Sequence, residues 1–319
     1  MLVASVAMLC FFTCIRADNT TILNSEYPWL SFPSTPKLPL PVYNEYLRIN
    51  NMLIWYSVYG SANKPAVLFL HGGFANSNYW GLQVEKLRSM YRCILMDSRG
   101  HGRSLMPSDN ITYDLMTSDV IALLDHLQIE RTSLVGWSDG AIIGLNLAIN
   151  YPSRLNSLFA FGANYNSQGL KDISTSAVFM AYLSRTQTEY QAMNPDPNYG
   201  TFYVRLTTMW STLPNWSGED FAKISKSLPV WIVDGDHEEA VYRNQTDQMA
   251  IWIQHAGELI LPRSSHFSFI QTPEIFTSSL IQFLKEANQQ SHGIGLTYSS
   301  TTIMLVSFIL HFSLNKYFS

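Results

Sequence analysis

The sequence predicts an α/β fold: a mostly parallel sheet with helices on both faces and a helical cap inserted between two of its strands. Three observations predict it. Short apolar or β-branched runs alternate with stretches of helical periodicity, the pattern of βα units. A glycine-flanked serine, Gly136-Trp137-Ser138-Asp139-Gly140, falls between one such run and one such helix. Residues 163–228 then interrupt the alternation with helical stretches rich in tyrosine and tryptophan.

From the N-terminus, residues 1–17 read as a signal peptide. The apolar run 2–15, followed by Arg16-Ala17-Asp18, has the length of a signal core and is too short to span a bilayer. Pro28, Pro33, Pro36, Pro39 and Pro41 make 18–41 an extended lead-in, because proline removes the backbone donor that a helix or a central strand needs. Segments 42–162 and 229–288 form the expected catalytic core. Runs 53–59 and 66–70 read as strands with Gly60 and Asn63 between them, and 93–96 as a third ending at Asp97. Met116, Val120, Leu123, Leu124 and Leu127 recur at helical spacing, and 133–135 follows as a buried strand. A helix over 139–150 and a strand over 157–161 complete this half. The cap, 163–228, separates it from a strand at 230–233, a helix at 248–255, a strand at 258–261 and a last helix from 273 to 286. In the tail, 289–319, Ser291-His292-Gly293, a polar spacer and the apolar run 303–312 form a pattern similar to a GPI-attachment signal, with a membrane-spanning helix and a plain hydrophobic tail as the other readings.

Composition limits the partners. A net charge of -4 and 14% charged residues offer no basic surface to a polyanion, so nucleic acid is excluded as a partner. With 319 residues, 47% of them hydrophobic, the chain can bury one large core and a modest insertion. Asn-x-Ser/Thr sequences at Asn19, Asn110, Asn215 and Asn244 fit a glycoprotein of the secretory pathway, either secreted or held at the cell surface through the tail. Of the three cysteines, Cys10 and Cys14 leave with the signal, so Cys93 has no internal partner. Oligomeric state is not legible.

The chemistry centres on Ser138. In G-x-S-x-G the glycines relieve crowding at a sharp strand-to-helix turn, so that the hydroxyl projects from the sheet edge. A hydroxyl is a poor nucleophile near neutral pH and needs a base. In the chain order of such sites the acid and then the histidine follow the nucleophile. His266, in the loop after the run 258–261, is the candidate base; His255 lies in a helical run, and His292 and His311 in the tail. The acid belongs after 230–233, where Asp234, Asp236, Glu238 and Glu239 crowd one turn. The third residue after Gly235 is Glu238, with Asp236 as the alternative. Two fixed N–H donors must face the developing oxyanion. One is expected from Asp139, at a helix N-terminus. The other is expected from Gly73, or from Phe74, in His71-Gly72-Gly73-Phe74. His71 is read as a brace for that loop, and Arg99 and His101 as structural. Trp137 and the Asp139 carboxylate are candidates for substrate contact, and Tyr182, Tyr199, Tyr203, Trp210 and Trp216 could line a pocket or simply pack the cap.

Together with Asp97-Ser98-Arg99-Gly100-His101-Gly102-Arg103-Ser104 and Ser265-His266-Phe267, these motifs stand in the order and spacing of the α/β-hydrolase superfamily, which the chain resembles over roughly residues 44–288. Within it, Trp137-Ser138-Asp139-Gly140 and Gly162-Ala163-Asn164 are similar to the biphenyl hydrolase-like family, valacyclovirase and its bacterial relatives. That resemblance implies the α/β-hydrolase fold and cleavage of a small-molecule carboxylic ester through an acyl-enzyme, with no cofactor and no metal. It also implies an Asp139 carboxylate able to meet an α-amino group, so amide, thioester and α-aminoacyl ester substrates stay open. A glutamate at the acid position departs from the commoner aspartate. Haloalkane dehalogenases and epoxide hydrolases use aspartate where this chain has Ser138. Cofactor-free haloperoxidation, C–C hydrolysis and an inactive binding protein on the same fold are the alternatives.

Overall fold

The run Thr132–Trp137 is buried at every position, as a strand covered by helices on both faces must be. It is the centre of a sheet seen in a computed structural model that describes residues 24–108 and 110–291. The expected signal peptide, Asn19 and the anchor signal beyond Ser291 lie outside the described residues, among which no helix is long and apolar enough to cross a membrane.

In chain order the elements are β1 (Tyr43–Ile49), β2 (Met52–Tyr59), β3 (Ala66–Leu70), α1 (Gly81–Leu87), β4 (Arg92–Met96), α2 (Tyr113–His126), β5 (Thr132–Trp137), α3 (Asp139–Asn150) and β6 (Leu155–Phe161). There follow α4 (Ala177–Met193), α5 (Tyr199–Trp210), α6 (Gly218–Phe221), β7 (Val230–Gly235), α7 (Arg243–Trp252), β8 (Gly257–Leu261), α8 (Ser268–Gln271) and α9 (Pro273–Ser291). Eight strands, among the described residues, run in the order β1-β2-β4-β3-β5-β6-β7-β8. β2 is antiparallel to both of its neighbours, and every pairing from β4 to β8 is parallel. This is the mostly parallel sheet that the sequence predicts.

Alternation along β6 shows how both faces are covered, since successive side chains point to opposite sides. Leu158 and Leu134 lie under Gly144 of α3, where a Cβ would come within 2.6 Å of the Leu158 side chain. Phe159 and Phe161 face the other way and pack on Phe276 of α9, with Phe159 also touching Phe283.

Three differences from the sequence reading have physical reasons. β1 was not expected: it is an edge strand whose Asn44, Glu45 and Tyr46 are exposed, so no apolar run marks it. α7 begins at Arg243 rather than 248 and buries Gln245 and Thr246 on its inner face, so hydropathy hides its first turn. The lead-in is not a loose extension. Phe32 is fully buried, packing edge-on against Phe267 and Tyr182. Arg185 of α4 caps its ring at 3.7 Å and donates to the Pro33 carbonyl and, at 3.2 Å, to that of Phe32.

Candidate active site

β5 runs straight into Ser138, whose φ of 55° and ψ of -119° put a non-glycine residue in strained backbone. Neighbouring groups hold it there. Its N–H donates to the Phe161 carbonyl at 2.8 Å, and its carbonyl accepts from the N–H groups of Ala141 at 2.8 Å and Ile142 at 3.0 Å. The flanking glycines are needed for close approach: a Cβ on Gly136 would lie 2.3 Å from the Gly140 carbonyl oxygen, and one on Gly140 2.2 Å from that of Leu70. Ser138 is left half-buried at the N-terminus of α3. Trp137, expected beside the substrate, is instead in the core. It is the last inward-facing residue of β5, packed among Tyr79, Tyr182, Phe267 and Phe269.

His266 follows β8 in a buried turn, with its Nδ1 2.8 Å from Oε2 of Glu238. Both side chains are 2% exposed. A carboxylate there fixes the proton on Nδ1 and leaves the Nε2 lone pair free to act as a base. Glu238 is itself held, because Oε1 accepts from the N–H groups of Ala240 at 2.6 Å and Val241 at 3.2 Å. Asp236 does not reach the histidine; it braces the turn by accepting from the Arg263 and Ser264 N–H groups and pairing with His237. Glu239 enters instead, accepting from the His266 N–H and the Ser265 hydroxyl, each at 3.0 Å. Among the described residues no hydrogen bond joins His266 to the Ser138 hydroxyl. Such contacts are often long in free enzymes and tighten only with substrate bound.

Burial dominates the electrostatics. It lowers the imidazole of His266 below its usual value, opposed by the charges of Glu239, Asp234 and Asp139. It raises Glu238. Burial, reinforced by the charge of Glu238, pushes Glu239 up to about 7 and holds Asp234 well above the usual carboxylate range.

On the other side of the elbow, the ring of His71 accepts from the Ser98 N–H through Nε2 at 3.0 Å, so Nδ1 carries the proton to the Gly72 carbonyl at 2.8 Å. This histidine pins the loop after β3 to the end of β4. Arg99 forms a buried bidentate pair with Asp119, at 2.7 and 2.6 Å. Tyr182 donates to the Gly73 carbonyl, and Phe74, at φ 63°, anchors the ring cluster of Tyr199, Phe202, Tyr203 and Trp210. Among the described residues, no backbone carbonyl takes the N–H of Gly73 or of Phe74. The Asp139 carboxylate is buried and clamped: Oδ1 accepts from Tyr113 at 2.8 Å and from the Trp210 indole at 2.9 Å, which also lies 3.1 Å from Oδ2. Burial pushes it up to about 6 despite these bonds.

Ser138 opens into a pocket of about 80 Å³ walled by Asp139, Lys171, Phe179, Trp210, Leu213 and Val241. Of the five cap aromatics singled out in the sequence, only Trp210 lines it. Tyr182 braces the oxyanion-side loop, Tyr199 and Tyr203 pack on Phe74, and Trp216 packs on Phe221. Tyr113 and Lys171 carry no motif and were missed as site residues, and the bonds of Glu239 to the His266 N–H and the Ser265 hydroxyl were not expected. Among the described residues no three metal-ligating side chains converge.

The strained serine after β5 and the buried histidine–carboxylate pair from the turns after β7 and β8 are the elements that the sequence predicts for a serine hydrolase. The comparisons agree on the fold. The model of the alpha/beta hydrolase fold matches residues 65–219, and the chain has the α/β-hydrolase fold. It is 35% identical over 121 residues to 3-oxoadipate enol-lactonase 2 of Acinetobacter baylyi, a match covering 38% of this chain and 45% of that enzyme. The chain therefore spans less than half the length of that relative. It is 24% identical over 258 residues to the human serine hydrolase BPHL, covering 74% of this chain and 84% of that one. The crystal structure of the enol-lactonase from Burkholderia xenovorans LB400 superimposes with a TM-score of 0.63 at 20% identity, over 76% of this chain and all of that one, a likeness of fold.

Proposed function

We propose that the protein hydrolyses carboxylic esters of small molecules through an acyl-enzyme on Ser138, with His266 as general base and Glu238 as the carboxylate that orients it. The observation that carries this reading is the buried 2.8 Å contact between His266 Nδ1 and Glu238, which leaves Nε2 as the basic nitrogen. Ser138 Oγ attacks the ester carbonyl as its proton passes to Nε2. The tetrahedral oxyanion is met by the N–H of Asp139 and by that of Gly73 or Phe74, donors that need no reorganisation when charge appears. Collapse breaks the ester bond, and the imidazolium returns the proton to the departing alcohol. Water, activated by the same nitrogen, then releases the acid. Glu238 stabilises the imidazolium without taking its proton.

The test is labelling by a fluorophosphonate together with turnover of p-nitrophenyl esters of graded chain length. Ser138→Ala should abolish labelling and lower kcat by up to ~10⁶, and Glu238→Gln should lower it by ~10³ or more. Labelling that survives Ser138→Ala, or turnover within tenfold of the parent, refutes the assignment; absence of any labelling of the parent favours an inactive binding protein.

A further inference from the structure

The pocket beside Ser138 is apolar over most of its wall, yet one cation stands in it. Lys171 lines it together with Leu170 and Ile173. Its position is set by backbone: the Lys171 N–H donates to the Ala240 carbonyl at 2.8 Å, and Leu170 pairs with Val241 in an isolated antiparallel bridge. The side chain is set as well. Nζ donates to the backbone carbonyl of Glu238 at 2.6 Å and lies 5.8 Å from the centre of the Tyr242 ring. An ammonium has three donors, and that carbonyl takes one. Among the described residues no carboxylate forms an ion pair with Lys171. The other charge in the pocket, Asp139, is answered by the hydroxyl of Tyr113 and the indole of Trp210. The site therefore holds a fixed, half-buried cation with donors to spare and, among the described residues, no carboxylate paired with it.

We infer that Lys171 binds an anionic group on the substrate, and that the ester cleaved at Ser138 carries a carboxylate at the far end of a short acyl chain, as in a half-ester of a small dicarboxylic acid. This rests on the ester-hydrolase reading above and adds the substrate class to it. The small volume, about 80 Å³, sets the chain short, and the apolar wall suits the methylenes between the two ends. A structural alternative exists on the same contacts: Lys171 could act only through Glu238, whose carboxylate its charge favours.

Two experiments separate these. Monoethyl succinate and ethyl butyrate differ chiefly in the terminal carboxylate. The parent should prefer the first, and Lys171→Met should reduce that preference by ~30-fold or more, the low end for removing one partner of a partly buried charge pair. The loss should sit in KM, and Lys171→Arg should restore most of it. Equal losses on both esters, carried in kcat with a displaced acid limb of the pH profile, overturn the proposal and assign Lys171 to Glu238. Second, succinate binding to the Ser138→Ala protein is measured by calorimetry, where no turnover is needed. Binding at least ~10-fold weaker after Lys171→Met supports the site, and absence of succinate binding in the Lys171 parent overturns it. If the parent takes no fluorophosphonate label and cleaves neither these esters nor p-nitrophenyl esters while succinate still binds through Lys171, the ester-hydrolase reading fails and the anion site stands.

Discussion

Asp139→Asn tests the electrostatics of the elbow most sharply, because the expected result runs against the habit of treating a hydrogen-bonded carboxylate as stabilising. Tyr113 and Trp210 both reach Oδ1, at 2.8 and 2.9 Å. An amide oxygen placed there keeps both bonds while the charge is removed. The carboxyl is shifted from the usual 3.8 to about 6, with burial the largest cause. Each tenfold change in proton affinity is worth about 1.4 kcal/mol, so the ionised form is disfavoured in the folded protein by about 3 kcal/mol. Since the folded-state value is raised, the proton stabilises the fold at acid pH and that stability is lost as pH rises through about 6. Relative to pH 8, about 1.4 kcal/mol of it is present at pH 5. The asparagine variant lacks this dependence. Its stability minus that of the parent should therefore increase by about 1.4 kcal/mol between pH 5 and pH 8 in urea titrations at fixed salt. A difference that stays flat or shrinks over that range shows that Asp139 is not held as a desolvated charge, and the argument fails.

Glu239→Gln removes the largest influence raising His266, so the imidazole should stay neutral to lower pH and the acid limb of kcat/KM should move to lower pH; a move to higher pH would falsify this account. Gly162→Ala places a Cβ 2.9 Å from Cε1 and 3.0 Å from Nδ1 of His266, at a φ of 67°. The strain should cost about 1–2 kcal/mol of stability, and the displaced imidazole ~10²-fold in kcat; activity within threefold of the parent counts against the placement of His266. Asn110, Asn215 and Asn244 are all exposed, so expression through a eukaryotic secretory pathway should yield a protein whose mass falls on treatment with peptide-N-glycosidase; an unchanged mass refutes the expectation of a glycoprotein.

The sheet was legible because its inner strands are nearly continuous apolar runs, which only burial on both faces explains. β1 was not, because an edge strand answers to solvent on its outer side and can carry Asn44 and Glu45. α1 spans one seven-residue stretch, too short for periodicity to register. In the candidate site, the acid position that the α/β-hydrolase resemblance implies, third after Gly235, is Glu238 rather than Asp236, and the hydrogen bond to His266 falls on Glu238. What spacing cannot supply is direction. Trp137 precedes the serine by one residue and so points into the core while Ser138 turns outward. Tyr113, Lys171 and Trp210 reach the pocket from α2, the segment after β6 and α5, and their convergence is set by packing between distant parts of the chain.

The buried Phe32 changes where the folded unit begins. Its ring touches Tyr182, which donates to the Gly73 carbonyl, and Phe267, the residue after the candidate base. One side chain in a proline-rich leader thus braces the oxyanion-side loop and the histidine turn together, and burying a phenylalanine contributes about 1.5–3 kcal/mol. Cutting the chain just before Tyr43, where the first strand starts, would remove Phe32 and its contacts with Tyr182 and Phe267 while keeping the sequence of every strand of the sheet. A cleavage or fusion junction that removes Phe32 therefore reaches the candidate site through Tyr182 and Phe267.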